Sequence, residues 1–321
     1  MENIKTLDLN HKATLQEGHD LIENVLWEEG VVRFNKADLT QDDFFAYSSF
    51  LGENFIVDGT EPGEYRTIGA SGRRRLLHPS RSIYSANGNT YEVPLHGELH
   101  YEYMNPPHLL WFFCEAGDGI YNTTTVCDGE SLFNALSLAD QETLLHQPLC
   151  YERYHTADFW KTQYIVDTKE ELEAYLISQN RSFKWFPEDE IQTQFHSPAI
   201  RSRNGRYVFI NSLLSFALRQ IERPNESRAR VCFADGSPLE TDLVYRIANT
   251  SKALSKVVNW VKGDILILDN TRMIHGRTVV HPKDNRKLQV RMSDWERLKS
   301  VSPPIKSAYD ISNAHVQPLN A

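Results

Sequence analysis

Basic residues are too few in this sequence to build a nucleic-acid surface. Thirty-four Lys and Arg stand against 43 Asp and Glu, a formal net charge of -9 over 321 residues, whereas binding to phosphates needs a positive field. The one basic run, Arg73-Arg74-Arg75, reads as a solvated loop. Long apolar runs are missing as well. Nothing approaches the roughly 18 residues of a membrane span, and the start, Met1-Glu-Asn-Ile-Lys-Thr6, lacks the apolar core of a signal peptide, so none is expected. Cysteine is scarce: Cys114, Cys127, Cys150 and Cys232 form no C-x-x-C pair and no dense framework. Thiols so scattered read as small buried hydrophobes, and a reduced, cytoplasmic protein is the simplest reading. Low-complexity linkers and repeats are also lacking, which leads us to expect one domain over residues 1–321.

Apolar material is sufficient for a core, 40% of residues with 11% aromatic. The periodicity predicts helices over residues 19–29, 41–51 and 170–178, the last opened by the capping box Thr168-Lys-Glu-Glu171. Leu239, Leu243, Ile247 and Leu254 recur at helical spacing. Strand signals fall at Gly30–Phe34, His108–Glu115, Arg206–Ile210 and Asp264–Leu268. Residues 58–90, polar and rich in Gly, Arg and Ser, read as one long loop, and loops of that length are usually functional. Helices at the start and in the middle, with strands around the chemistry, predict a mainly β core with helical decorations (α+β), built as a double-sheet jelly roll, a double-stranded β-helix.

The chemistry gathers in His96-Gly97-Glu98 and in His275, which follows the turn Asp269-Asn270. Residues i and i+2 of an extended strand point to one face, so His96 and Glu98 can share a metal. His275 reads as the end of an apolar strand, at an opening. Two imidazoles and one carboxylate on one face of an iron leave three coordination positions open, the arrangement of non-haem Fe(II) oxygenases. Eleven residues further, Arg286-Lys-Leu-Gln-Val-Arg-Met292 alternates. Arg286, Leu288, Val290 and Met292 share one face, so Arg286 needs a partner, and a guanidinium fork matches a carboxylate. Its partner is either a core Asp or Glu or a dicarboxylate co-substrate; the metal residues upstream favour the second. Arg291, on the opposite face, is expected in solvent or in a surface salt bridge.

Together these residues resemble the TauD/TfdA superfamily of Fe(II)/2-oxoglutarate dioxygenases, and within it the SyrP-like branch. The resemblance runs from about Gly30 to Trp295, through Ser82-Ile-Tyr-Ser85, Pro94-Leu-His-Gly-Glu98, Trp111-Phe-Phe-Cys-Glu115, Gly263-Asp-Ile-Leu-Ile-Leu-Asp-Asn270, His275-Gly-Arg277 and Asp294-Trp295. Gly97 departs from the asparagine usual in the family. The resemblance implies that His96, Glu98 and His275 bind Fe(II), that Arg286 pairs with the distal carboxylate of 2-oxoglutarate, and that Thr124 helps to hold it. Thr123 and Thr125 are alternatives, because the usual Gly-Gly-Glu-Thr-Pro is replaced by Gly119-Ile-Tyr-Asn-Thr-Thr-Thr125. It further implies O₂-dependent oxidation of a C–H bond with release of succinate and CO₂. Related halogenases have a small residue where Glu98 stands, so halogenation is not expected.

Substrate contacts are expected from Arg81, Tyr101, Asn211 and Arg277, with Tyr103 close by. Asn211 equally suits a turn, and Arg277 a surface cap. SyrP-like relatives imply hydroxylation of an amino acid or amino-acid-derived metabolite, free or on a carrier protein. Desaturation or oxidative decarboxylation is the rival outcome on the same scaffold. A jelly-roll protein that binds Zn²⁺ or a metabolite without turnover is the rival from another class, and Arg286 argues against it. Partners are thus a small molecule, with no nucleic acid and no membrane; a homo-oligomer remains compatible.

Overall fold

The computed structural model describes residues 4, 6–7, 15–35, 39–53, 55, 65–66, 74–78, 83–86, 90–164, 166–224, 228–281 and 283–300. The larger sheet runs in the order β1 (Thr6–Leu7), β2 (Val31–Asn35), β16 (Asp264–Asp269), β7 (Leu109–Ala116), β18 (Lys287–Ser293), β5 (Ile83–Ser85), β4 (Arg74–His78) and β3 (Tyr65–Arg66). Across from it lies the sheet β15 (Lys256–Val261), β8 (Asp118–Asp128), β17 (Met273–Arg277) and β6 (Val93–His96). A third sheet is β10 (Ser182–Trp185), β11 (Ile191–Ser197), β9 (Leu149–His155) and β14 (Ala229–Phe233), and β12 (Arg201–Arg203) pairs with β13 (Arg206–Val208). The helices are α1 (Leu15–Glu29), α2 (Gln41–Ser48), α3 (Gly129–Ala135), α4 (Leu138–His146), α5 (Ala157–Tyr164), α6 (Lys169–Ser178), α7 (Leu213–Glu222), α8 (Thr241–Leu254) and α9 (Glu296–Ser300). Helix and strand take similar shares of the described residues, so "mainly β" fits the core rather than the whole chain.

Both faces of the larger sheet are covered, which is why β7 and β16 carry no polar alternation. Leu110, Phe112, Leu266, Leu268 and Val290 point inward to the second sheet, where Phe112 meets Trp260 at 6.0 Å between ring centroids. Trp111, Phe113, Ile265 and Ile267 point outward beneath α1 and α2, against Ile22, Leu26 and Phe44. Each fully buried side chain of this size contributes roughly 1.5–3 kcal/mol relative to exposure. α2 starts in a reciprocal capping box of Thr40 with Asp43, and α6 in the box of Thr168 with Glu171. Trp295 is buried and donates from Nε1 to Glu23, fastening the end of the core to α1.

Three expectations change. Residues 58–90 are not one loop, since β4 and β5 extend the larger sheet beyond β18. Of the basic run, Arg74 and Arg75 begin β4, while Arg73 lies outside the described residues. Arg291 is not in solvent: it is 1% exposed, lies 5.1 Å from the Phe45 ring centroid and donates to the Ser48 carbonyl. Alternation separates the two faces of β18, but it does not reveal that α2 covers the second one. None of the described helices is long and apolar enough to cross a membrane.

Candidate metal centre and cavity

β6 and β17 pair antiparallel with His96 opposite His275, which brings the imidazole ring centroids to 4.4 Å. Glu98 Oε2 lies 3.9 Å from His96 Nε2 and 3.6 Å from His275 Nε2. One ligand atom from each residue falls within 4.8 Å of the others. His275 stands in the middle of β17 rather than at its end, and is buried. Nor does a straight strand carry the His96/Glu98 pair: β6 stops at His96, and Glu98 projects from the turn that follows.

That turn is held from several sides. Asn270 Oδ1 accepts from the Glu98 backbone N–H at 2.8 Å, while its amide donates to the carbonyls of Glu98 and Pro107. The Gly97 N–H donates to the Asn211 carbonyl at 2.7 Å, and Ser212 Oγ donates back to the Gly97 carbonyl. Leu99 adopts φ +62°, a left-handed conformation costly for a side-chain-bearing residue. Gly97 is required by space: a Cβ there would meet the His100 ring at 2.6 Å and Ile210 Cδ1 at 3.1 Å. His100 thus occupies the room that a side chain at position 97 would take, and its Nε2 meets the Asn270 carbonyl at 2.8 Å.

The donors suit a cation. His96 Nδ1 lies 2.8 Å from the Pro94 carbonyl, an acceptor only, and a proton on Nδ1 in that contact leaves Nε2 as the nitrogen that would ligate a cation. A carboxylate side chain 4% exposed between two imidazoles is the electrostatic setting of a bound metal. The set leaves room for other ligands on the cavity side, as a 2-His-1-carboxylate iron requires.

The three residues open into a cavity of about 370 Å³ that is also lined by Thr124, Arg277, Arg286, Tyr101, Phe112 and Val290. Leu288 and Val290 line it with Arg286, as the alternation of this segment implies. Arg286 Nε faces Asp284 Oδ2 at 3.7 Å, so the ion-pair reading is correct in part. A guanidinium has five donors in a fork, which leaves its other end for a second carboxylate. Burial lowers the Arg286 pKa, and burial together with Arg286 brings Arg277 down to about 10. Two guanidinium groups that disfavour each other in one cavity attract an anion. Trp260 Nε1 donates to Thr124 Oγ1 at 2.8 Å, so the threonine O–H can itself donate elsewhere. The Thr123 side chain lies outside the described residues, and of Thr124 and Thr125 only Thr124 lines the cavity.

Of the expected substrate residues, Tyr101 and Arg277 line the cavity, Arg277 also donating to the Tyr91 carbonyl at 3.0 Å. Tyr103 is buried against Phe55 instead. Asn211 does not line it. Its amide donates to the Ala199 carbonyl and its Oδ1 accepts from Leu213 N–H at the start of α7, the turn role that its sequence context equally allowed. Arg81 lies outside the described residues. Sequence reasoning missed Asn270, His100 and α7, whose Ser215, Arg219 and Glu222 stand along the cavity with Arg223, the residue that caps its end. The spacing of Leu213, Phe216 and Ala217, all buried, was a usable signal for α7; Asn270 had none beyond a turn.

A 2-His-1-carboxylate site between the sheets of a jelly roll, facing a cavity with paired arginines, defines a class of metal-dependent oxygenase. The family described as "Taurine catabolism dioxygenase TauD, TfdA family" matches residues 2–292, and the chain belongs to it. It is a dioxygenase that uses Fe(II) and 2-oxoglutarate. It is similar to a clavaminate synthase-like protein of Arabidopsis thaliana, 23% identical over 84% of this chain and 83% of that protein. It is also similar to the dapdiamide synthesis protein DdaC of Enterobacter agglomerans, 21% identical over 81% of each. Among solved structures, a taurine dioxygenase from Burkholderia xenovorans shares the fold with a TM-score of 0.56 at 15% identity, over 90% of this chain and 84% of that one.

Proposed function

We propose that this protein hydroxylates an unactivated C–H bond of an amino acid or amino-acid-derived metabolite, free or presented by a carrier protein as in the SyrP-like branch. His96, Glu98 and His275 hold the iron. Arg286 clamps the distal carboxylate of 2-oxoglutarate, and Thr124 donates a further hydrogen bond to it. When bound, the iron and 2-oxoglutarate supply oxidation by O₂, with succinate and CO₂ as co-products.

The observation that carries the reading is the two-sided cavity. Arg286, Thr124 and Arg277 lie along it, and α7 with its C-cap brings Arg219, Glu222 and Arg223 to it as well. Two cations and a carboxylate along α7 offer complementary partners to a carboxylate and an ammonium, the two charges of an amino acid. The role of DdaC in dapdiamide synthesis, as its name states, is consistent with a substrate of this class. Tyr101 and Phe112 give apolar walls that hold the substrate over the metal and keep bulk water out.

The test begins without oxygen. Fe(II) and then 2-oxoglutarate, added to apo-protein, are expected to produce a visible metal-to-ligand charge-transfer band that His275→Ala lacks. Succinate release is then expected to depend on one or a few members of an amino-acid library. A band without amino-acid-dependent succinate or hydroxylated product would refute the substrate assignment. Turnover surviving Glu98→Ala and His275→Ala would refute the metal assignment.

A further inference from the structure

Cys150 and Cys232 are 82 residues apart in sequence, yet they sit directly opposite each other on the antiparallel strands β9 and β14. Glu152 follows Cys150 by two and so shares its face of β9. Both sulfurs and a Glu152 oxygen lie within 4.8 Å of one another. The reading of the thiols as small buried hydrophobes holds for Cys114 and Cys127, whereas Cys150 and Cys232, also free, form a pair.

We propose that Cys150, Cys232 and Glu152 form a second metal site, for a thiophilic divalent cation such as Zn²⁺, separate from the iron site. Thiolates select Zn²⁺ over Mg²⁺ or Ca²⁺. Tetrahedral Zn²⁺ with sulfur at its usual distance places ligand atoms about 3.8 Å apart, which small side-chain rotations reach from the present spacing. His196 stands opposite Cys150 on the other flanking strand, β11, outside the three-residue cluster, so the fourth ligand position falls to water. Gln194 donates to Glu152 Oε1 at 2.7 Å and orients the carboxylate. Arg230 is opposite Glu152 on β14; with a divalent ion it balances two thiolates and one carboxylate.

The pair is held in register, with the Cys232 thiol donating to the Cys150 carbonyl at 3.9 Å. Metal binding would replace both thiol protons, which pass to solvent. Cys232 and Glu152 are only partly buried, so an ion can enter from outside the sheet. The site would tie β9 to β14, the strand whose Val231 N–H donates to Gln220 of α7 at 3.1 Å.

The test uses the reduced full-length protein under anaerobic conditions, with Fe(II) and 2-oxoglutarate already bound, and Cd²⁺ as the probe. One equivalent of Cd²⁺ is expected to give an ultraviolet thiolate-to-cadmium absorption, which a large excess of Zn²⁺ reduces. His275→Ala is expected to keep that absorption. Cys232→Ser is expected to lose it while retaining the iron charge-transfer band as its sign of folding. Absence of the cadmium signal in wild type, or its survival in Cys232→Ser, overturns the proposal. Should Cys232→Ser fail to fold, Glu152→Gln decides: Cd²⁺ affinity about tenfold weaker supports the site, and unchanged affinity overturns it.

Discussion

At the residue scale, Arg286 and Gly97 do opposite things for the centre. Arg286 supplies charge, and a charged hydrogen bond is worth about 1.5–3 kcal/mol. Arg286→Gln is therefore expected to raise the KM for 2-oxoglutarate by roughly ten- to a hundredfold, with smaller loss in Arg286→Lys, measured by succinate production. Gly97 supplies space. Gly97→Ala drives a methyl toward the His100 ring and is expected to cost about 1–3 kcal/mol of stability by overpacking. Coupling in a double-mutant cycle with His100→Ala, read by urea unfolding, would show that the two positions share one volume. The candidate metal residues stood out in the sequence through residue type and close spacing, although Glu98 comes to His96 from a turn and not along a strand. Gly97 was legible only as missing bulk, because the ring that fills the space arrives by folding of the turn. The thiol pair was not legible at all, since strand register between distant segments is not written in local periodicity.

At the scale of elements, the turn after β6 depends on Asn270 at the end of β16. Asn270→Ala removes three hydrogen bonds to buried backbone groups of two loops. The expected result is a loss of roughly 1–3 kcal/mol for each group left unsatisfied, together with iron binding weakened about 10–100-fold, measured by unfolding and by competition with a chelator. A second expectation concerns α7: Arg219→Gln with Arg223→Gln raises the substrate KM while the KM for 2-oxoglutarate stays unchanged. Most elements were readable as periodic segments, including both flanks of the site. The covering of the outer sheet face was not, because Trp111 and Phe112 look alike in sequence and only the packing of α1 and α2 distinguishes their surroundings.

For the whole molecule, buried histidines set the acid limit. His155 is held well below its usual pKa by burial and then by Arg153, Arg181 and Arg228. The native ring stays neutral, while the unfolded chain takes up a proton near pH 6.5. Its stabilisation is thus complete above that value and is lost as the pH falls below it, at up to about 1.4 kcal/mol per pH unit for one proton. Urea unfolding between pH 7 and 5 is expected to show a steep decline that His155→Gln makes shallower by about one proton. Glu102 acts in a lower window. Burial raises its pKa, but Arg153 and Arg181 outweigh burial and depress it, so its contribution is present above about pH 4.5 and fades below as the carboxylate protonates.

The register of β17 has a temporal meaning as well. β6 has β17 as its strand partner, and His275 arrives on that strand long after His96 and Glu98 have been synthesised. A nascent chain still short of Met273 holds one donor at the end of an unpaired strand and one in the turn after it, and offers an ion no enclosed site. Cofactor loading is therefore a late event in the life of each molecule, and a ribosome that stops before β17 releases a chain with no competent centre at all.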